Sequence, residues 1–226
     1  MKKRGNVSFD KRFFSKNFSS FKDSSIAERF SYIHKNNHWV GQSTVSGEGS
    51  EEKQTQEVRT NLPKIISQFK IRTILDIPCG DFNWMKNIEL NIKQYIGGDI
   101  VPEIIEQNNT RYSNDNRKFL QLDIIKNKLP MVDLIFCRDC LVHLSIEDIQ
   151  KSIENIKNSN SQYILTTTFT ECEVNEDIIT GDWRIINLCQ DPFNFPEPIL
   201  VINEDCTEGN KTFSDKSLGL WKISDL

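Results

Sequence analysis

The spacing of hydrophobic positions changes along this chain, and the clearest pattern begins at Arg72. From there, short apolar segments alternate with amphipathic ones. The apolar segments predict strands near residues 73–78, 94–99, 117–123, 131–137 and 162–169. The amphipathic segments predict helices near residues 82–88, 101–110 and 146–157. Because strands that alternate with helices build βαβ units, this region predicts an α/β fold around a mostly parallel sheet.

The N-terminal part of the chain has no such alternation. Residues 1–56 are polar, yet they contain six phenylalanines, which is too many for a disordered segment. We therefore expect residues 1–56 to pack as an arm on a domain formed by residues 57–226. Within the arm, Gly41–Ser50 is a loop rich in glycine and serine, which is either a ligand-binding turn or a plain connector.

Two further segments complete the predicted elements. An amphipathic helix is predicted over Glu51–Phe69, in which Pro63 indicates a kink or a later start. After Phe169 the alternation ends and a long loop follows, which in a compact domain is typical of a binding loop or lid. The aromatic and charged residues of this loop suit either substrate recognition or packing on the core. Two short strands are predicted beyond it, near residues 199–203 and 217–223.

Acidic residues lie at the ends of three predicted strands: Asp76, Asp99 and Asp123. Ligands of open α/β sheets bind at the carboxyl ends of the strands, so we expect these acids to surround one nucleoside-bearing ligand. Gly80 allows a tight turn after the first strand, and the helix predicted behind it would direct its N-terminus at the ligand. Asp99 could equally cap the helix that begins near Val101.

The segment after the fourth strand carries the candidate catalytic residues. His143 is one of only three histidines in the chain, and an unperturbed pKa near 6.5 suits a general base. A lone histidine beside an apolar turn is more often structural, so both interpretations stay open. Asp139 is an alternative base or the group that orients the base.

Two other pairs of residues have the spacing of metal ligands. Cys137 and Cys140 form a CxxC pair, but a zinc site would need two further ligands, and such pairs are commonly incidental. His34 and His38 lie four residues apart without an accompanying acid, and we expect them at the surface. We therefore predict no metal site.

The bulk composition excludes several classes of function. The chain has 28 basic and 32 acidic residues and a formal charge of −4, so generic binding to nucleic acid is not expected. No apolar stretch approaches the roughly 20 residues that span a bilayer, so no membrane insertion is expected. The basic N-terminus has no apolar segment behind it, which predicts a cytoplasmic protein whose six cysteines are reduced.

Together these segments resemble the class I S-adenosylmethionine-dependent methyltransferases, from about residue 54 to residue 158. Asp76-Ile-Pro-Cys-Gly80 is similar to the first motif of that family, in which an acid and a glycine-rich turn hold the methionine part of the cofactor. Asp99 matches the acid that binds the ribose. Asp123 and Ile124 match the adenine site, and the segment 133–144 resembles the fourth-strand segment, which often ends in a histidine.

The first motif departs from the family pattern at two positions. Pro78 and Phe82 stand where the family usually has glycines, so only Gly80 remains. The chain also resembles a bacterial group of methyltransferases in three short segments: Ser-Gly-Glu-Gly-Ser, Gly-Asp-Phe-Asn-Trp and Thr-Gly-Asp-Trp. Some members of that group are associated with surface-polysaccharide genes.

The resemblance implies a single Rossmann-like methyltransferase domain, with a mostly parallel seven-stranded sheet and an antiparallel C-terminal strand. It implies S-adenosyl-L-methionine as the cofactor and methyl transfer by in-line displacement at its sulfonium. The acceptor would be a hydroxyl of a small polar molecule such as a sugar or sugar nucleotide. The expected catalytic residues are His143 and Asp139. The expected cofactor-binding residues are Asp76, Gly80, Asp99, Ile100, Asp123, Ile124 and Arg138.

Two alternatives remain at this stage. The incomplete first motif leaves open a protein of the same fold that binds without turnover. A nicotinamide-dependent oxidoreductase would use a related sheet, but it would be expected to show a fuller G-x-G-x-x-G motif.

Overall fold

The computed structural model describes residues 9–226, and in this part of the chain seven strands form one sheet. They are β1 (Thr73–Asp76), β2 (Gln94–Asp99), β3 (Arg117–Gln121), β4 (Leu134–Cys137), β5 (Tyr163–Phe169), β6 (Leu200–Asn203) and β7 (Lys216–Lys222). Their order across the sheet is β3-β2-β1-β4-β5-β7-β6. All seven strands fall on segments that the apolar pattern predicts.

The direction of the strands follows the predicted arrangement. β1 to β5 pair in parallel, and β7 runs antiparallel to both β5 and β6. The expectation of a mostly parallel seven-stranded sheet with an antiparallel C-terminal strand is therefore confirmed. Because β1 lies at the centre between β2 and β4, the loops that follow these three strands meet at one edge of the sheet.

Helices cover both faces of the sheet. The described residues form α1 (Phe13–Lys16), α2 (Phe18–Phe21), α3 (Ile26–Lys35), α4 (Gln56–Gln68), α5 (Pro102–Tyr112), α6 (Ile146–Asn158) and α7 (Glu208–Lys211). The apolar residues of α4 and α5 belong to one buried cluster and those of α6 to the other. Ile74 and Leu75 of β1 lie in different clusters, as the alternation of side chains along a strand requires.

Two predicted helices differ in the structure. The helix predicted over Glu51–Phe69 begins later, at Gln56, and contains Pro63. The helix predicted near residues 82–88 is wrong, because the only helical element there is a single 3₁₀ turn at Met85–Asn87. Phe82 has a φ of 58°, and a right-handed helix cannot continue through a residue in that conformation. The loop after β1 therefore has no α-helix behind it.

The long loop after β5 is part of the core instead of a lid. Ile178, Ile186 and Leu188 within it are buried. The buried guanidinium of Arg184 donates to the carbonyl oxygens of Leu141 (2.7 Å) and Leu144 (2.6 Å), in the segment that follows β4. The loop thus holds the β4 segment in place.

The described part of the arm packs on that same loop. The ring of Phe14 is completely buried, and its backbone N–H donates to the carboxylate of Asp182 at 2.7 Å. A Cβ atom added to Gly181 would lie 2.7 Å from the Phe14 ring, so the contact leaves no space for a side chain at position 181.

α3 begins with a capping box formed by Ser25 and Glu28. The arm is thus fastened to the sheet domain through the loop that follows β5.

Candidate functional site

The loop after β1 is held between the two neighbouring strands. The backbone N–H of Ile77 donates to Phe136 of β4 (2.9 Å), and that of Cys79 donates to Gly98 of β2 (2.8 Å). Gly80 follows with a φ of 52°, a conformation that glycine adopts readily, and its N–H donates to the Asp99 carboxylate at 3.1 Å. These bonds fix the turn and the acid after β2 relative to each other.

Phe82 takes a positive φ although it is not a glycine, and its surroundings explain this. Its buried ring contacts the rings of Tyr95, Phe119 and Tyr112, and the Arg117 guanidinium lies 4.9 Å from the ring centre. Burial of an aromatic ring of this size outweighs a strained backbone. Phe82, at a position where the family usually has a glycine, is therefore part of the hydrophobic core.

A cavity opens at the carboxyl ends of β1, β2 and β4. Every residue predicted as catalytic or cofactor-binding lines it: Asp76, Gly80, Asp99, Ile100, Asp123, Ile124, Arg138, Asp139 and His143. The acids after β1, β2 and β3 thus meet at one cavity, and the segment after β4 completes its wall. We call this space the first cavity.

Asp76 and Asp99 are two buried carboxylates in the first cavity, and the charge of Arg138 acts on Asp76 only as a minor influence on its pKa. Burial raises the pKa of Asp76 to about 7, although a hydrogen bond from the Tyr95 hydroxyl acts in the opposite direction. Burial also raises the pKa of Asp99 to about 6, against the N–H donors of Val101 and Gly80. The bond from Val101 shows that Asp99 also supports the start of α5. Carboxylates held in this way favour a cationic ligand.

Arg138 and Asp139 belong to a buried ionic cluster. The Arg138 guanidinium lies 2.7 Å from the Glu204 carboxylate and donates to the carbonyl oxygen of Gly49 at 2.8 Å. The Lys216 ammonium lies 2.7 Å from the Asp139 carboxylate. Although burial alone would raise the pKa of Asp139, the charges of Lys216 and Arg138 outweigh it and lower this pKa to about 2. Asp139 is therefore a stable anion and a poor proton acceptor.

The ring of His143 is buried and held by two contacts. Its Nδ1 lies 3.0 Å from the carbonyl oxygen of Asp182, which can only accept, so Nδ1 carries the proton and Nε2 the lone pair. The indole of Trp39 stacks on the imidazole with 4.4 Å between the ring centres. Burial lowers the pKa of His143 to about 4, so the ring is neutral at pH 7. The neutral ring can accept a proton, but the lowered pKa also makes it a weaker base than an exposed histidine.

A second cavity adjoins the first. The two share Trp39, Ser46, Asp139 and His143 as lining residues. The remaining wall of the second cavity is aromatic and charged, and comes from the arm, the loop after β5 and the C-terminal part: Phe9, Glu48, Phe169, Trp183, Glu208, Phe213 and Lys216. His143 and Asp139 thus lie where the two spaces meet.

The arm contributes wall residues that the sequence patterns do not reveal. Phe30, His34 and Trp39 line the first cavity, together with Ser46 from the loop rich in glycine and serine. His34 and His38, which are expected at the surface, are both half-buried, and the Nδ1 atom of His34 is inaccessible to solvent. His38 instead contacts Phe13 and the carbonyl oxygen of Asp10 within the arm. The one sequence feature that could have indicated this wall is the four-residue spacing of Ile26, Phe30 and His34, which places them on one face of a helix.

The CxxC pair lies beside this site without further ligands. Cys137 is buried, and a hydrogen bond to Cys137 together with burial raises the pKa of the Cys140 thiol. Within residues 9–226 no group of three or more histidine, cysteine or acidic side chains is arranged to hold a metal ion. The chain's cysteines are all free thiols.

Comparisons with known proteins agree with this geometry. Residues 74–160, less than half of the chain, match a family model described as a methyltransferase domain. No curated protein matches the chain. No helix in the described part of the chain is long and apolar enough to cross a membrane.

Two solved structures illustrate the similarity in fold. The N-methyltransferase NodS from Bradyrhizobium japonicum WM9, in complex with S-adenosyl-L-homocysteine, has a TM-score of 0.59 at 12% identity, over 84% of this chain and 97% of NodS. Human N-acetylserotonin methyltransferase, in complex with S-adenosylmethionine, has a TM-score of 0.56 at 13% identity, over 92% of this chain and 59% of the human one. At these identities the similarity concerns the fold alone.

Proposed function

Because the chain carries a class I S-adenosylmethionine-dependent methyltransferase domain, we propose that it methylates a hydroxyl of a small polar acceptor, such as a sugar or a sugar nucleotide. The observation that carries this proposal is the position of His143 at the junction of two cavities. One cavity has the residues expected for the cofactor, and the other has aromatic and charged side chains suited to a polar acceptor. A nicotinamide-dependent oxidoreductase has no comparable support.

The first cavity fits S-adenosylmethionine by its charge and its lining. When bound, this cofactor supplies a methyl group made electrophilic by a sulfonium cation. The buried carboxylates of Asp76 and Asp99 favour the positive charges of the sulfonium and the amino group. We assign the ribose hydroxyls to Asp99, since each carboxylate oxygen keeps a lone pair beside its N–H donor.

The remaining expected cofactor residues take more specific roles in this proposal. Asp123 and the apolar side chains of Ile100 and Ile124 surround the adenine, and Gly80 sets the turn beside the methionine part. Arg138 is already neutralised by Glu204, so we assign it to positioning instead of direct binding. Its bond to the Gly49 carbonyl holds the loop that closes the first cavity.

His143 is the residue that we assign as general base. The carbonyl of Asp182 fixes the proton on Nδ1, so Nε2 would accept the proton of an acceptor hydroxyl when the methyl group passes from the sulfonium to that oxygen and S-adenosylhomocysteine is released. Asp139 has a pKa too low for this task and is assigned to binding and orienting the acceptor. Its carboxylate can accept a hydrogen bond from a second hydroxyl.

The second cavity supports a small polar acceptor. The rings of Trp183 and Phe213 can cover the apolar face of a sugar ring, and Asp139 and Glu208 can accept hydrogen bonds from its hydroxyls. By its printed name, human N-acetylserotonin methyltransferase also acts on a small molecule. A nucleic-acid acceptor is not proposed, because the chain carries a net charge of −4.

We also propose a cytoplasmic location. All six cysteines are unpaired thiols, and Cys79, Cys137, Cys172 and Cys206 are buried. Structural thiols of this kind persist in a reducing compartment.

The experiment that tests the proposal is a methyl-transfer assay. Purified protein is incubated with methyl-labelled S-adenosylmethionine and a panel of sugars, sugar nucleotides and amino sugars, and products are identified by mass spectrometry. Methylation of a hydroxyl that is lost in the His143→Ala variant supports the proposal. Methylation of a nitrogen would overturn the proposal that the acceptor atom is a hydroxyl oxygen. Binding of cofactor without any methyl transfer would favour a protein that binds without turnover.

A further inference from the structure

One face of α3 forms an outer wall of the first cavity. Ile26, Phe30 and His34 are four residues apart, so their side chains lie above one another on the helix. All three line the cavity. The two apolar residues come first, and the imidazole of His34 follows at the C-terminal end of the row. The arm therefore presents a polar ring to a space whose other walls come from the sheet loops.

The position of α3 does not depend on a ligand. Arg29 donates to the carbonyl oxygen of Thr180 (3.0 Å), which ties the helix to the loop after β5, and to that of Phe21 in α2 (3.2 Å). At the other end, the Lys35 ammonium lies 2.8 Å from the Glu103 carboxylate of α5. The wall is therefore held from both ends, and His34 is fixed beside the first turn of α5.

His34 has a polar atom without a partner. Its Nδ1 is buried and makes no hydrogen bond within residues 9–226. Buried polar atoms in folded proteins are nearly always hydrogen-bonded, so an unpaired one indicates a missing partner. Lys35, next to His34, pairs with Glu103 in the first turn of α5, and Asp99 and Val101 directly before α5 line the same cavity, in the region that we assign to the nucleoside.

We propose that His34 Nδ1 forms a hydrogen bond to the nucleoside half of the bound cofactor, so that the N-terminal arm is part of the cofactor site. This inference rests on the proposed function, because it takes the first cavity as the site of S-adenosylmethionine. It assigns α3 a binding role, in addition to its packing on the loop after β5. The nucleoside would then be held from one side by the sheet loops and from the other by the arm.

A competing explanation uses a neighbour of His34. The Oε2 atom of Glu103 is also buried without a partner, and the charge of His34 acts on this carboxyl. A small shift would join the two side chains, and His34 would then only fasten α3 to α5. In that case a substitution of His34 would lower stability and leave cofactor affinity unchanged.

The test compares two histidines of the arm. His34→Ala and the control His38→Ala are titrated with S-adenosylhomocysteine by calorimetry, and their thermal unfolding is recorded. We expect the affinity of His34→Ala to fall by about fivefold or more, the loss expected for one net hydrogen bond. His38 lies outside both cavities and contacts only the arm, so the control should bind like the wild type.

A second pair of variants distinguishes the contribution of the His34 hydrogen bond to affinity from that of the packing of its ring in the cavity wall. His34→Phe keeps a ring without its nitrogens and should bind as weakly as His34→Ala. His34→Asn keeps a polar atom near the position of Nδ1 and should recover part of the affinity. Equal affinities for the wild type and all His34 variants would overturn the inference. A wild-type protein that does not bind S-adenosylhomocysteine would instead overturn the proposed function.

Discussion

The imidazole of His143 is neutral across the pH range of most assays, because burial lowers its pKa to about 4. An exposed histidine would lose its base form below its ordinary pKa of 6.5. In this site the base form persists until the pH approaches the lowered value. At saturating S-adenosylmethionine, where the titration of Asp76 and Asp99 no longer limits cofactor binding, we therefore expect kcat/KM for the acceptor to stay constant on acidification through pH 6.5 and to fall only near the lowered pKa.

The measurement is a pH profile of methyl transfer with the wild type and His143→Ala. The variant should lose about 10²–10⁴-fold in kcat, the usual contribution of a general base. An acidic limb at the ordinary histidine pKa would show that His143 is exposed during turnover or is not the base. Full activity of the variant would exclude it directly.

Asp76 should make cofactor affinity depend on pH, because its pKa is raised whereas that of His143 is lowered. Burial raises its pKa to about 7, so in the free protein the carboxyl is largely protonated under acidic conditions and ionises as the pH rises through neutrality. Only the ionised form attracts the positive charges of the cofactor. We therefore expect the affinity for S-adenosylhomocysteine, which keeps the amino group, to increase as the pH rises through the pKa of Asp76.

Calorimetry in buffers on either side of neutrality measures this effect. Asp76→Asn keeps an acceptor for the Tyr95 hydroxyl but cannot ionise, so its affinity should vary less with pH. An unchanged pH dependence in the variant would mean that another group, such as Asp99, causes the effect.

At the scale of elements, the first part of the arm packs on the loop after β5 mainly through one buried ring. Phe14 is completely buried against Gly181, whereas Phe18, four residues later, is 52% exposed. Removing a buried phenylalanine ring costs about 3–5 kcal/mol. We expect Phe14→Ala to release the arm from the loop after β5, whereas Phe18→Ala should leave it in place.

Limited proteolysis checks this prediction with a matched pair of variants. Cleavage within the arm should accelerate in Phe14→Ala and not in Phe18→Ala, and affinity for S-adenosylhomocysteine should fall only in the first variant, because the arm lines the first cavity. If Phe14→Ala binds as tightly as the wild type while its arm is cleaved, the arm has no part in cofactor binding.

The elements differ in how well the sequence predicts them. The strands are predicted because each is a short apolar run, and β4, for example, is completely buried. The helix predicted after Gly80 does not form, because its apolar residues serve a different purpose. Phe82 joins an aromatic cluster with a positive φ, which no helical period describes. For the loop after β5 the sequence leaves substrate recognition and packing on the core both open, because the contacts that bury the loop are distant in sequence.

At the scale of the whole molecule, the predicted residues of the site meet because of the sheet order. Asp76, Asp99 and Asp123 follow strands that neighbour one another, so their carboxyl ends share one edge. The contribution of the arm could not be predicted in this way. His34 and Trp39 reach the cavity through the folding of α3 onto the loop after β5, and this contact leaves no local pattern.

The arrangement of the sheet also explains why the first motif can have Pro78 and Phe82 in place of glycines. The loop after β1 keeps its shape through bonds to β2 and β4 and through the bond from Gly80 to Asp99. Pro78 remains a lining residue of the first cavity, and Phe82 turns into the core. A single glycine is therefore enough to shape the turn, because the neighbouring strands supply the remaining constraints.

Binding of S-adenosylhomocysteine to the purified protein, measured by calorimetry, tests the central claim most directly. Asp99→Ala is compared with Asp115→Ala, which removes an exposed acid that does not line the first cavity. The account predicts saturable binding by the wild type and the Asp115 control, and at least tenfold weaker binding by Asp99→Ala, which loses a charge-assisted contact to the ribose. No binding by the wild type, or equal binding by all three proteins, would contradict it.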